Sequence, residues 1–156
     1  MTDQLDQTTH GPVVTHDLIR SLLGERIGYG ISREVYSVPL ARHLVAKVAR
    51  IDSAHPVGII ANVQEYAIWE AVTMFPDHVR QWFCPCHSIS IHGTTLFMER
   101  AEPINREQLP KDVPVYFTDL KLENWGMYKG KPVCLDYANL LIVNQLLSKR
   151  TKKATW

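Results

Sequence analysis

The stretch that most limits the fold is 57–75, VGIIANVQEYAIWEAVTMF, which Pro76 ends. Ile60, Val63, Ala67, Ala71 and Met74 recur there at intervals of three and four, the period of one helix face, and predict an α-helix with an apolar stripe. Elsewhere the pattern runs on a period of two. ERIGYG, REVYSV and LVAKVA read as three short strands, joined by links too brief for crossover helices, so an antiparallel arrangement is the simplest solution. HSISIHGTTLFMER reads as a hairpin turning at His92 and Gly93, and MYKGKPVCLDYA as a smaller one turning at Lys129 and Gly130. One main helix among antiparallel strands gives an α+β fold.

The remaining segments are links and ends. Residues 1–14 are polar and read as a flexible N-terminus. THDLIRSLLG follows as one short helix, with Thr15 or Asp17 as its cap and Gly24 as its stop. AEPINREQLPKDVPV, with three prolines, is too broken for a long helix and reads as a linker. NLLIVNQLLSKRTKK is expected to end the chain as an apolar helix with a basic tail. Leu140, Leu141, Ile142, Val143, Leu146 and Leu147 make it apolar nearly all round, so it needs cover on more than one side, and a homodimer is the expected cover.

A chain of 156 residues is long enough for one domain with its own core. Its formal net charge of +1 gives no basic excess to point to nucleic acid. No apolar run nears the roughly 20 residues that cross a bilayer, and MTDQLDQTTHGP lacks the apolar segment of an export signal. No membrane association and a cytoplasmic location are therefore expected. Three cysteines, an odd number, do not make a disulfide framework. CPCH at 84–87 has tighter spacing than a zinc knuckle and no second pair after it, so reduced thiols beside a strand are the simpler reading.

Chemistry enters at three places. Lys47 interrupts LVAKVA, where an ammonium is costly unless it snorkels to water or meets a partner. Glu65, beside the helix's apolar stripe, and Glu70 are both candidates for that partner. Gly28 and Gly30 lie between two strands rather than between a strand and a helix, which disfavours a Rossmann phosphate loop and fits a glycine hairpin. Within FTDLKLENWG, 117–126, an acid, a base and an amide stand at Asp119, Lys121 and Asn124. Each alone is a common turn or surface residue; it is their density in one short loop that sets them apart.

Taken in order, these segments resemble the protein kinase superfamily. IGYGISREVYSV stands for its glycine-rich loop, LVAKVA for its strand lysine, NVQEYAIWEAV for its helix glutamate, and TDLKLEN followed by Asp136 for its catalytic loop and metal-binding aspartate. GYGISREVYS and D-L-x-x-x-N-W-G are similar in particular to stretches of small phage-encoded serine/threonine kinase-like proteins. The resemblance implies a kinase-like N-lobe over 15–100, an antiparallel sheet with one main helix. It further implies a hinge or linker over 101–114 and a reduced catalytic-loop subdomain over 115–156 in place of a full C-lobe. ATP and Mg2+ are the implied cofactors. Gly28 and Gly30 would lie over the phosphates, Lys47 would hold them and Glu65 would orient Lys47. The main chain from Glu99 to Ala101 would meet the adenine edge. Asp119 would accept the hydroxyl proton, Lys121 would sit near the moving phosphoryl group, and Asn124 and Asp136 would hold the metal.

The chain also departs from that pattern. Arg33 replaces the third glycine, Phe117 and Thr118 replace His-Arg, and Asp136, Tyr137 and Ala138 replace Asp-Phe-Gly. Only 18 residues separate Arg100 from Asp119 and only 20 follow Asp136, too few for a helical lobe, which leaves the catalytic loop without its usual support. The resemblance implies first a minimal serine/threonine kinase acting on a host protein or on itself, in the host cytoplasm. The missing lobe favours, second, a non-catalytic kinase-like protein that binds and modulates a host protein. A small-molecule phosphotransferase of the aminoglycoside or choline type ranks third, because such enzymes build their acceptor site from the helical lobe.

Overall fold

The computed structural model describes residues 16–50, 56–140 and 148–156. Residues 1–14 and the apolar run 141–147, with the self-association read from it, lie outside the described residues.

After the short helix α1 (His16–Ser21), the strands β1 (Arg26–Tyr29), β2 (Arg33–Ser37), β3 (Leu44–Ala49), β4 (Cys86–Ile89) and β5 (Thr95–Glu99) form one sheet. Its order is β1-β2-β3-β5-β4 and every neighbouring pair is antiparallel. The three short strands and the hairpin expected from the sequence are all present. Gly93 makes the hairpin's turn at φ 69°, a region that only glycine enters freely. Because β3 is central, Lys47 does not face water from an edge. Strand alternation puts Leu44, Ala46 and Val48 on one face, where they pack with Val38, Leu23 and Phe97. Val45, Lys47 and Ala49 then point to the other face.

Helix α2 (Val57–Thr73) crosses that other face, against β3, β4 and β5. It does not bury the side that its apolar residues mark. Gly58, Asn62, Glu65 and Val72 turn inward, whereas Ile60 and Val63 are half exposed and Met74 is 86% exposed. The stripe read as the apolar face thus faces outward, with Ala67 also exposed. Two constraints fix the rotation. At Gly58 the helix comes so near the sheet that a Cβ would run into Ser32 O and lie 2.9 Å from Ala49 Cβ. At Glu65 the carboxylate meets buried cations, and breaking such a pair costs about 3–5 kcal/mol, against roughly 1.5–3 kcal/mol for each aliphatic residue a rotation would bury.

The short helix α3 (Asp77–Arg80) leads from α2 to β4, and the second half begins after β5; it contains β6 (Glu102–Pro103), β7 (Asp112–Pro114), β8 (Trp125–Tyr128), β9 (Lys131–Cys134) and β10 (Thr151–Lys153). They make a sheet β6-β8-β9 and a pair β7-β10. Lys129 (φ 49°) and Gly130 (φ 74°) form the expected two-residue turn between β8 and β9. The proline-rich linker is pinned by Asn105 and Gln108, whose side chains each accept the other's backbone N–H.

The C-terminus corrects its expectation, for 148–153 does not end a helix but leads into β10, which gives the short strand β7 its ladder partner. Trp156 then meets Trp125 edge-on at 5.3 Å and donates to Pro110 O at 3.0 Å.

An aromatic core joins the two halves. Phe83, Tyr116, Phe117, Trp125 and Tyr137 are each at most 3% exposed. The Phe117 ring lies 5.4 Å from Phe83, 4.8 Å from Tyr116 and 5.2 Å from Trp125. The loop that starts at Phe117 therefore has support after all, from rings of its own neighbourhood rather than from a helical lobe. Among the described residues no helix is long and apolar enough to cross a membrane.

Gly58→Ala separates local from tertiary effects. Helix propensity alone would stabilise the variant by about 1 kcal/mol; the overlap with Ser32 O and Ala49 predicts a loss of about 1–3 kcal/mol instead. A fall in the urea midpoint is the expected result, and a rise would contradict the close approach.

Candidate functional site

The site starts from one carboxylate. Glu65 is fully buried; its Oε2 accepts from Lys47 Nζ at 2.6 Å and from Arg33 Nη1 at 2.7 Å, and its Oε1 from the Tyr137 backbone N–H at 2.8 Å. Glu70, the other candidate partner of Lys47, is exposed. Arg33 extends the network: its Nη2 reaches Asp136 Oδ1 at 2.8 Å and its Nη1 donates to Asn62 at 3.3 Å. Asn62 in turn donates to Gly93 O at 2.9 Å and to Lys47 O at 3.3 Å. Strand pairing explains the convergence. Arg33 lies opposite Ala49 and Val35 opposite Lys47, so the two-residue period sends both cations under α2. Burial alone would lower the pKa of Arg33, but Glu65 and Asp136 outweigh it and hold the guanidinium above its usual value.

Leu135 connects this network to the loop. Lys47 Nζ also donates to Leu135 O, and the Leu135 N–H donates to Asn124 O at 2.7 Å. In the loop, Lys121 Nζ lies 3.1 Å from Asp119 Oδ1 and Asn124 Nδ2 donates to Asp119 Oδ2 at 2.9 Å. The tight turn Leu122–Asn124 brings Asn124 back to Asp119. The Asp119 and Lys121 side chains are more than half exposed, and exposed pairs contribute about 0–1 kcal/mol. Stability is thus a poor reason for the cluster. Lys47, Glu65 and Asp136 therefore meet through Arg33, while Asp119, Lys121 and Asn124 form a second group joined to the first at Leu135.

The other expected residues lie around these groups. The Gly30 N–H donates to Arg33 O at 2.8 Å, closing the turn from which Arg33 enters the network. Gly28 lies against Val35, where a Cβ would come within 3.2 Å of the valine Cβ. Glu99 pairs with Leu44, three residues along β3 from Lys47, about 10 Å away at the rise of a strand. Its N–H donates to Pro85 O at 2.8 Å and its carbonyl accepts from Cys84 Sγ at 3.2 Å. Ala101 lies next to Gly126, where an added Cβ would be 2.8 Å from the alanine Cβ.

Asp136 and the Asn124 amide oxygen are hard, partly exposed donors whose chemistry suits magnesium. Among the described residues no three or more His, Cys, Asp or Glu side chains are grouped to hold a metal, so phosphate oxygens and water would have to complete such a shell.

The cysteines serve the core. Cys86 Sγ lies 3.0 Å from the Tyr137 hydroxyl, which donates to Cys84 O at 2.8 Å. Burial pushes the Cys84 and Cys86 thiols up to about 12 and that of Cys134 further. A groove of about 360 Å³ bounded by Trp69, Arg80, Tyr128, Lys129 and Lys131 shares no residue with either network. Its wall pairs Arg80 with Asp77 and otherwise offers the surface cations Lys129 and Lys131, none of them tied to the Glu65 or Asp119 groups, so the buried charges mark the site better than the concavity does.

Sequence reasoning saw Arg33 only as a missing glycine and passed over Asn62. One signal was in the sequence, since Asn62 stands three residues before Glu65 on the same helix face; that Arg33 shares a strand face with Val35, the partner of Lys47, needs the sheet register. No protein-family model matches the chain, and no curated protein matches it.

Two measurements check the site's electrostatics. Glu65→Gln leaves Lys47 and Arg33 buried without their shared anion and should cost about 3–5 kcal/mol in urea unfolding, whereas Glu70→Gln should stay within about 0.5 kcal/mol. Equal effects would mean that the pairing is misassigned. The thiols give a pH dependence. In the folded chain Cys84 and Cys86 keep their protons up to about 12 rather than the usual 9.0, so their contribution is whole below pH 9 and is lost as pH rises from there. A thiol reagent at pH 8 should leave the native protein untouched and label all three cysteines in urea.

Proposed function

We propose that the chain is a minimal kinase-like phosphotransferase that uses ATP and magnesium to modify a serine or threonine hydroxyl of a partner protein or of itself. On this reading 15–100 is a kinase-like N-lobe and the loop region 115–156 stands in for a full C-lobe. The observation that carries the reading is the Lys47–Glu65 pair at 2.6 Å, tied through Leu135 to the loop of Asp119 and Asn124.

The nucleotide would supply the phosphoryl group and the metal the neutralising charge that its transfer needs. The chain's own residues then have separable tasks. Glu65 holds the Lys47 ammonium in place, and Lys47 turns its donors from Leu135 O to phosphate oxygens. The hairpin of Gly28 and Gly30 covers that position. The main chain from Glu99 to Ala101 would meet the base edge, with the Glu99 N–H and carbonyl already engaged by Pro85 and Cys84. Asn124 and Asp136 offer their oxygens to the metal. Asp119 accepts the hydroxyl proton as the new O–P bond forms and the bond to the ADP oxygen breaks, its electron pair leaving with ADP. Lys121 offsets the charge on the moving group.

A non-catalytic kinase-like protein that modulates its partner is the second reading, and one observation favours it. The Lys47 side chain is only 8% exposed and already donates twice, to Glu65 and to Leu135.

Thermal shift and transfer assays decide between them. ATP with magnesium should raise the melting temperature of the wild type by several degrees, and Lys47→Ala should abolish that rise; an unchanged rise would sink the assignment. Asp119→Asn should keep the rise and lower phosphate transfer from γ-labelled ATP to itself or to lysate proteins by about 100-fold or more. A wild type that shifts but labels nothing belongs to the second reading.

A further inference from the structure

The proposed function gives Asp136 a divalent ion, yet one oxygen of that carboxylate already carries a cation. Arg33 Nη2 lies 2.8 Å from Asp136 Oδ1, while Nη1 of the same guanidinium holds Glu65 at 2.7 Å and Asn62 at 3.3 Å. The two ends of one rigid fork are thus spent on two carboxylates, a geometry that a lysine could not reproduce. Arg33 is 8% exposed, but the Asp136 side chain is 48% exposed. An ion from solvent therefore reaches the carboxylate without first reaching the arginine.

We propose that Arg33 is the resident counter-ion of Asp136, a guanidinium that competes with a divalent cation for that carboxylate. The inference rests on Asp136 being a metal ligand, as the proposed function has it. Charge bookkeeping carries it further. Arg33 and Lys47 balance Glu65 and Asp136, so the closed network is neutral. A bare divalent ion at Asp136 adds two positive charges beside two buried cations, where water and salt screen little. Displacement from Asp136 does not release Arg33 altogether, because Glu65 and Asn62 still hold its other nitrogen. The metal-free state is therefore closed on itself, and an ion enters against a resident charge that cannot diffuse away or lose its proton.

Manganese without nucleotide is the probe, its free form read by electron paramagnetic resonance. Arg33→Gln should bind Mn2+ at least tenfold more tightly than the wild type, and the gain should vanish when Asp136→Asn is added. Equal affinities, no binding by either form, or a gain that survives Asp136→Asn would each overturn the assignment. Should Arg33→Gln not fold, the wild type answers directly by NMR. Its Arg33 guanidinium signals should move as Mg2+ is added and should ignore Mg2+ in Asp136→Asn; signals indifferent to Mg2+ in both would refute the displacement. Loss of any ATP effect with the Mn2+ difference intact would count against the nucleotide reading alone and would support the counter-ion.

Discussion

The way helix, sheet and second half meet in this fold depends on the Glu65 carboxylate. It is reached from β3 by Lys47, from β2 by Arg33 and from the segment after β9 by the Tyr137 N–H. One fully buried anion thus ties the helix, the sheet and the second half of the chain together. A buried ion pair is no guarantee of stability, since its desolvation offsets much of the attraction. Its value here is geometric, because each donor fixes one rotational freedom of its element. The same anion explains why α2 turns Ile60 and Val63 to solvent: the helix is oriented by its polar residues, and its apolar ones accept what is left.

The aromatic core performs the complementary task. Asp119 has to be exposed to meet anything, and an exposed loop held only by surface pairs would wander. Phe117, two residues earlier, is buried among Phe83, Tyr116 and Trp125, and Trp125 is buried at the loop's other end. The loop is therefore clamped at both feet by dense packing, so its polar residues need carry no structural load. Trp156 extends the clamp by covering Trp125 from the C-terminus.

What the sequence made legible follows from the same physics. Strands β1 to β5 and both hairpins were readable, because alternation and the left-handed turns at Gly93 and Gly130 are local signals. The extent of α2 was readable too, but its buried face was not, since periodicity counts apolar residues and cannot know that two cations wait beneath Glu65. Glu65 and Glu70 were both legible as partners for Lys47, and the local pattern could not choose between them; the packing of α2 on the sheet brings Glu65 to it. Arg33 was noticed for the glycine it replaces and not for the bridge it makes, which depends on a contact 103 residues away. Strand β10 was missed because Thr-Lys-Lys has no apolar pattern; its place is set by the unpaired edge of β7.

The two polar groups differ in exposure, and that difference suggests how occupation of one would be felt by the other. The buried group is neutral and closed, while the Asp119 group is open to solvent, and Leu135 belongs to both. Its carbonyl accepts from Lys47 and its N–H donates to Asn124. An anion that approaches the Lys47 ammonium finds two of its donors engaged, by Glu65 and by Leu135 O, and takes the remaining one or displaces Leu135 O. Release of Leu135 O would loosen the stretch leading to Asp136 on one side while the N–H keeps its hold on Asn124 on the other. Under the proposed reading, phosphate at Lys47 and the carboxylate at Asp136 are then coupled through a single residue's main chain.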